Sequence, residues 1–340
     1  MVESLMQGII HEDGESSLQE IPIPSICSEH ILIKVLATVL HPVDEYFFKG
    51  FRTFKEQSSY VIGFEGAGEI VQIGDNVPEH YAIGQKVSFF THLKRTEHST
   101  GAWAQYSLLH FDACVIMDHS LDPQEISGVI FNQLTAMCFY TLVKKGGHQA
   151  LINTAAASSL GKILLGVCKR ENMKIICIVR DEEEHKKLKE EEHFAEHVLN
   201  LTHHDFMNNL TVLALELNAT IAFDAIGGEF TGKMLKCMPK KGAIFIHGNL
   251  SGQHLNMISP FNLITNCKSI HGFELFEEVK TNFESVKENL DYIASSLKMG
   301  EVIFKTRIAE AVPLSEFKRV IEDYKVNATK GKTIFLPNSS

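Results

Sequence analysis

Between residues 149 and 247 the chain repeats one pattern: a short apolar run, then a helix-length stretch of mixed polarity. The runs fall at 149–153, 174–179, 197–200, 220–224 and 243–247. Strands this short and this continuously apolar belong to a parallel sheet, whose two faces are covered by the crossover helices that join its strands. Right-handed crossovers place those helices on both sides. The expected fold class is therefore α/β, with a doubly wound parallel sheet over 124–270. Residues 1–123 read differently. Strand-like pieces such as "HILIKVLATVL", "GAGEIVQIG", "GQKVSFF" and "WAQYSLLH" alternate with turns at Gly63, Gly66, Gly68, Gly74 and Gly84, as in a compact β-rich domain. Residues 271–340 offer a helix around 281–298 and two strand-like pieces. That is too little to stand alone, so the segment is expected to pack back onto residues 1–123.

The first turn of the α/β region carries the chemistry. The strand Ala150–Asn153 runs through Thr154-Ala155-Ala156-Ala157-Ser158-Ser159-Leu160-Gly161 into a helix ending near Arg170. A dinucleotide pyrophosphate needs small residues here, so that backbone N–H groups and the helix N-terminus can approach it. A turn with one glycine also fits an ordinary strand-to-helix connection. The second strand ends at Arg180, nineteen positions after Gly161, where the adenosine ribose is read. An acid there suits NAD, whereas an arginine suits the 2′-phosphate of NADP. Alternatively "RDEEEHKKLKEEE" is a solvated helix capped by Asp181, and the two readings are compatible. Further small residues, among them Gly248, follow the later strands and would line the same crevice.

Composition removes other classes. Lys and Arg number 32 against 42 Asp and Glu, a formal net charge of -10. That balance argues against a nucleic-acid partner. No apolar run reaches the ~20 residues that cross a bilayer, and the opening "MVESLMQGIIHEDGE" has neither a basic n-region nor a long apolar h-region, so no export signal is expected. Seven scattered cysteines without a Cys-x-x-Cys pair fit reduced thiols in a cytoplasmic protein rather than disulfides or a zinc cluster.

Taken together, "HPVDEYFFKG" (41–50), "GFEGAGEIVQIGDNV" (63–77), "GAWAQYSLL" (101–109), "NQLTA" (132–136), "AAASSLGK" (155–162), "FDAIGG" (223–228), "SIHGFEL" (269–275) and "GKTIFL" (331–336) resemble the zinc-independent medium-chain dehydrogenases/reductases. The branch is that of the quinone oxidoreductases and enoyl reductases, and the later pieces with Arg180 most resemble mitochondrial-type 2-enoyl thioester reductases. The resemblance implies a GroES-like catalytic domain split around a Rossmann domain, NADPH as cofactor, and homodimers formed through the sheet edge near 269–275. It places Asn132 and Thr135 at the nicotinamide end and Ser158, Ser159, Leu160 and Gly161 at the pyrophosphate. Arg180 would meet the 2′-phosphate, Phe273 and Leu275 the nicotinamide ring, and Lys332 the bound cofactor.

The departures from the family pattern are as informative. Zinc-dependent relatives carry a His where this chain has Phe64, and Phe cannot ligate zinc, so no metal is expected. Where mitochondrial-type enoyl reductases have a tyrosine this chain has Arg52, while Tyr46 matches a tyrosine of quinone reductases. His41 takes the family's usual asparagine position, either lining the cleft or capping a turn through its ring. The expected activity is hydride transfer from NADPH to a small quinone or α,β-unsaturated carbonyl, with Tyr46, His41 and Arg52 as candidate catalytic donors. The alternatives are 2-enoyl thioester reduction and a cofactor-binding protein with little catalysis.

Overall fold

The structure is a computed structural model and describes residues 4–44, 59–190, 195–327 and 331–339. The chain divides into two compact units, Met1–Leu134 with Asn282–Ser340, and Thr135–Thr281. The strands in chain order are β1 (Leu5–Glu12), β2 (Glu15–Pro22), β3 (His30–Val39), β4 (Ser59–Val61), β5 (Glu65–Ile73), β6 (Lys86–Phe90), β7 (Tyr106–His110) and β8 (Cys114–Ile116). There follow β9 (Ala150–Asn153), β10 (Lys174–Val179), β11 (His197–Asn200), β12 (Ala219–Asp224), β13 (Ala243–Ile246), β14 (Ser269–Gly272), β15 (Ile308–Val312) and β16 (Lys332–Phe335).

The first unit holds two sheets, β2-β1-β4 and β15-β16-β3-β5-β6-β8, with β7 also paired to β3. β3 carries almost no exposed residue along its length, which explains its nearly unbroken apolar sequence. Antiparallel pairing sets the end of β3 beside the beginnings of two strands remote in sequence. Thr38 lies opposite Gly66 of β5, and Val39 lies opposite Ile334 of β16. The chain's single tryptophan, Trp103, is fully buried at this corner. Its ring meets Phe335 edge-on with centroids 4.7 Å apart, and its Nε1–H donates to the Val39 carbonyl at 3.3 Å. Satisfying the indole in this way lets a large apolar ring fill the corner at no polar cost.

The second unit is one parallel sheet in the order β11-β10-β9-β12-β13-β14. β9 to β13 coincide with the five apolar runs to within one residue at either end. The order reverses direction between β9 and β12, and at such a switch point the loops leaving the carboxyl ends part to form a crevice. The fold class is the expected one: a β-rich unit and a doubly wound α/β unit. Among the described residues no helix is long and apolar enough to cross a membrane.

Candidate functional site

Four titratable side chains converge inside the first unit. His41 lies two residues beyond β3, Glu65 opens β5 and Lys332 opens β16, so the strand register just described brings them together. Asp44 joins them through the local chain. A helical turn begins at Pro42, and Asp44 reaches back to accept the His41 backbone N–H at 2.6 Å, as the third residue of a helix often does. The cap of this turn is thus the Asp44 carboxylate, and the His41 ring is free for other partners.

Those partners are specific. Glu65 Oε2 stands 2.6 Å from His41 Nε2, and Lys332 Nζ stands 3.1 Å from His41 Nδ1. The second Glu65 oxygen, Oε1, accepts the backbone N–H groups of Ile130 and, at 3.2 Å, Phe131, at the N-terminus of the helix Phe131–Lys145. A carboxylate there satisfies unpaired amide donors and complements the helix dipole. His41 and Glu65 have no exposed surface, Asp44 has 2 % and Lys332 7 %.

Burial governs the ionisation of this cluster. It holds the His41 imidazole well below its ordinary value, with the neighbouring Lys332 charge acting the same way. It pulls the Lys332 ammonium down to about 8, against the opposing attraction of Glu65 and Asp44. Desolvation also pushes the Glu65 and Asp44 carboxyls up, although backbone N–H donors favour their charged forms. A neutral His41 therefore carries one proton between a base and an acid. With the proton on Nε2 the ring donates to a Glu65 carboxylate and accepts from a Lys332 ammonium. Shifting two protons together across the ring gives protonated Glu65 and a neutral amine. The three groups titrate as a unit.

The second unit supplies a different surface. Ser158 caps the helix Ser159–Arg170, its Oγ accepting the Gly161 N–H at 3.1 Å. Ser158, Ser159 and Leu160 are half-buried, so this helix start keeps surface for a ligand. Gly161 lies against the turn itself: a Cβ there would come within 2.5 Å of the Ala156 carbonyl oxygen. The switch-point strands are tied together at their ends. Thr154 Oγ1 donates to Asp224 Oδ1 at 3.3 Å and accepts the Ala225 N–H at 2.8 Å. Thr231 donates to Asp224 Oδ2 at 2.6 Å.

Asn153, Phe223, Phe245 and His271 occupy one register level across β9, β12, β13 and β14 and so share a sheet face. Phe139, from the helix Phe131–Lys145, stacks on Phe223 with centroids 4.0 Å apart. The same ring packs against His247 at 5.0 Å and Phe273 at 4.8 Å. Two buried polar atoms here have no partner among the described residues, Asn153 Nδ2 and His247 Nε2. Buried polar groups are rarely left unpaired. Orphans at the carboxyl end of a parallel sheet, beside a small-residue turn and a capped helix start, fit a site for a bound dinucleotide.

The remaining expected site residues are placed as follows. Asn132 and Thr135 lie, largely buried, in the first turns of the helix Phe131–Lys145. Gly248 follows β13, Phe273 follows β14, and the buried Leu275 opens the helix Leu275–Thr281. Arg180 leaves β10 with its side chain 73 % exposed, Nε 3.2 Å from Asp181 Oδ2 and a terminal nitrogen 3.0 Å from Glu184 Oε1. Those contacts, the Asp181 hydrogen bond first, raise its pKa. Asp181 also caps the following helix, accepting the Glu184 N–H at 3.0 Å. Tyr46 and Arg52 lie outside the described residues. Phe64 is buried, with its ring 5.0 Å from that of His92. Among the described residues no three His, Cys, Asp or Glu side chains are grouped so as to hold a metal ion. Sequence reasoning missed Glu65 and Asp44. The signal for Glu65 was a carboxylate inside the otherwise apolar "VIGFEGAG".

Two family descriptions match successive parts of the chain. Residues 28–119 match "Alcohol dehydrogenase GroES-like domain" and residues 159–295 match "Zinc-binding dehydrogenase". A β-rich domain of the first kind followed by a Rossmann-like sheet of the second is the arrangement seen in the two units. The chain belongs to the medium-chain dehydrogenase/reductase superfamily. Within that superfamily it falls in the quinone oxidoreductase and enoyl reductase branch. A mitochondrial enoyl-[acyl-carrier-protein] reductase of Arabidopsis thaliana is 22% identical over 315 residues, covering 90% of this chain and 80% of that protein. A quinone oxidoreductase of Rattus norvegicus is 22% identical over 320 residues, covering 93% and 92%. A crystal structure from Mesorhizobium loti, described as a candidate NADPH:quinone reductase, superposes with a TM-score of 0.85 at 27% identity, covering 99% of this chain and 100% of that one. The superfamily membership makes this chain homologous to active oxidoreductases.

Proposed function

We propose that the protein is an NADPH-dependent, zinc-free reductase that transfers hydride to a small quinone or an α,β-unsaturated carbonyl. At family level the function is that of an NAD(P)H-dependent quinone, enone or enoyl-thioester reductase, and NADPH and the acceptor class are the finer reading. The observation that carries it is the turn from Thr154 to Gly161, a helix start with half-buried serines, pressed so close that only glycine fits at its end. Serine hydroxyls and backbone N–H groups of that turn would bind the pyrophosphate, and Arg180 the 2′-phosphate. The bound cofactor supplies the hydride, and the protein orients it and stabilises charge on the acceptor oxygen. Phe64 supports the absence of zinc, because it puts an apolar ring where a ligand would be needed. The seven cysteines, none of them in a disulfide among the described residues, support a reducing, cytoplasmic location.

Turnover tests the reading. Purified protein should oxidise NADPH with a quinone or an enone as acceptor, and a protein inert with every acceptor would overturn it. Tyr46→Phe should lower kcat for such acceptors roughly tenfold while NADPH affinity changes little, since a lost donor to a developing oxyanion costs at least that much. The likeness to the Arabidopsis enzyme supports a second reading, reduction of a 2-enoyl thioester. Normal turnover by Tyr46→Phe, together with loss of crotonyl-thioester reduction in Arg52→Ala, would favour it.

A homodimer formed through β14 completes the proposal. Among the described residues this strand has a neighbour, β13, on one side only, and the sequence before it exposes Met257, Phe261 and Ile264. An open edge beside exposed apolar side chains favours pairing with a second copy. Light scattering at micromolar concentration should give twice the chain mass, and a monomer would refute it.

A further inference from the structure

Two lysines in the first and second units are equally buried, at 7 % exposure, and they are held in opposite ways. Lys268 Nζ donates to the carbonyls of Leu235 at 2.7 Å and Lys236 at 3.3 Å, at the end of the helix Gly228–Cys237. Carbonyl acceptors keep an ammonium protonated, and that lysine is a structural cap. Lys332 Nζ has a single hydrogen-bond partner among the described residues, and that partner is a base, His41 Nδ1. Among the described residues neither Glu65 nor Asp44 pairs with it. The two Glu65 oxygens are taken by His41 and by the backbone at Ile130 and Phe131. Asp44 Oδ2 is taken by the His41 N–H, while Asp44 Oδ1 is buried with no partner.

An ammonium has three N–H donors, so among the described residues two of those on Lys332 are uncommitted, in a buried, low-dielectric place. Leaving them unused is costly unless a further acceptor arrives. We propose that Lys332 is the acid that protonates the reduced acceptor, with His41 and Glu65 as its positioning residues. This rests on the reductase reading above. Hydride arrival at the β-carbon leaves an electron pair on the acceptor oxygen. An O–H bond then forms there as one Lys332 N–H bond breaks, and its electron pair remains on nitrogen as a neutral amine. Water returns the proton to that amine before the next turnover. His41 fixes the direction of the side chain, since its Nδ1 accepts one N–H while Glu65 holds the ring by Nε2. Glu65 is in turn fixed by helix amides. The logic is that of a carboxylate orienting an imidazole, which orients the reacting group.

The experiment compares the full-length protein with Lys332→Met, Lys332→Arg and His41→Asn. Each is assayed for kcat with a quinone and an enone, for NADPH affinity by titration, and for the His41 ring by 15N NMR without cofactor. Lys332→Met should lower kcat at least about a hundredfold, within the range general acids contribute, and leave the NADPH Kd within about threefold. Lys332→Arg keeps the charge and the donors but does not release its proton. It should fold and fail alike, which covers the case in which Lys332→Met does not fold. His41→Asn should lose kcat with little change in Kd. In the unmutated protein the ring should be neutral and protonated on Nε2, and Lys332→Met should move its Nδ1 signal. Undiminished kcat in both lysine variants would overturn the proposal, as would a raised Kd at unchanged kcat, which would make Lys332 a cofactor contact. An unmutated protein that reduces nothing would instead defeat the reductase reading. The NMR result would then still decide whether Lys332 and Glu65 hold His41 as described.

Discussion

Replacing Glu65 by alanine should destabilise the protein by about 3–5 kcal/mol, as removal of one member of a buried charged network does. Three donors lose their acceptor together: the N–H groups of Ile130 and Phe131 and the His41 Nε2–H. The Ile130 N–H and the His41 ring cannot turn to bulk water, because Ile130 is 1 % exposed and His41 has no exposed surface. Each buried donor left unpaired costs about 1–3 kcal/mol, and the cavity adds to that. Urea unfolding should show the midpoint falling sharply at an unchanged slope. A loss under about 1 kcal/mol, within the range of an ordinary surface change, would mean the carboxylate does not hold this corner together.

Glu65→Gln separates charge from shape. The amide oxygen can still accept from Ile130 and Phe131, but its NH2 then faces His41 Nε2. The ring must move its proton to Nδ1, where it meets the Lys332 ammonium donor against donor. The amide substitution should therefore be milder than alanine in unfolding, while still disturbing Lys332.

The contrast between the two units explains what the sequence could reveal. β9 to β13 were legible because each is a local run, apolar on both faces, whose environment is dictated by helices next to it in the chain. Gly161 was legible for a similar reason, since its neighbour Ala156 is five residues away. The Lys332–His41–Glu65 cluster was not. His41 and Lys332 are separated by 291 residues, and they meet only because β3 runs antiparallel to both β5 and β16. A one-residue slip in either pairing would turn these side chains to the other face, and no local pattern encodes that register. His41 was singled out by its place in "HPVD", with two local roles in view. The structure gives the cap to Asp44 and the ring to Glu65 and Lys332. Around Arg180, the phosphate-binding and solvated-helix readings were compatible, and the structure realises the second in full: Asp181 caps the helix and the arginine lies on its acids.

That geometry sets the terms of the strongest cofactor test. NADPH should bind more tightly than NADH, and Arg180→Ala should remove most of the difference. The guanidinium now spends its donors on Asp181 and Glu184, but its side chain is 73 % exposed, and exposed pairs of this kind contribute at most about 1 kcal/mol. A 2′-phosphate brings nearly two charges and three acceptor oxygens, and a charge-assisted contact to it is worth roughly 1.5–3 kcal/mol. The phosphate therefore wins the exchange, though Asp181, Glu182, Glu183 and Glu184 repel it and reduce the margin. The expected outcome is at least about a tenfold preference for NADPH, equal to roughly 1.4 kcal/mol, falling close to one in Arg180→Ala. NADH affinity should stay as it was, because the unphosphorylated ribose makes no use of the guanidinium. Glu184→Gln should move the preference the other way, by freeing one donor and removing one repulsive charge. Titration of the unmutated protein with both cofactors is the deciding measurement. Equal affinities would mean that the acids keep Arg180 and that the protein does not select for the 2′-phosphate.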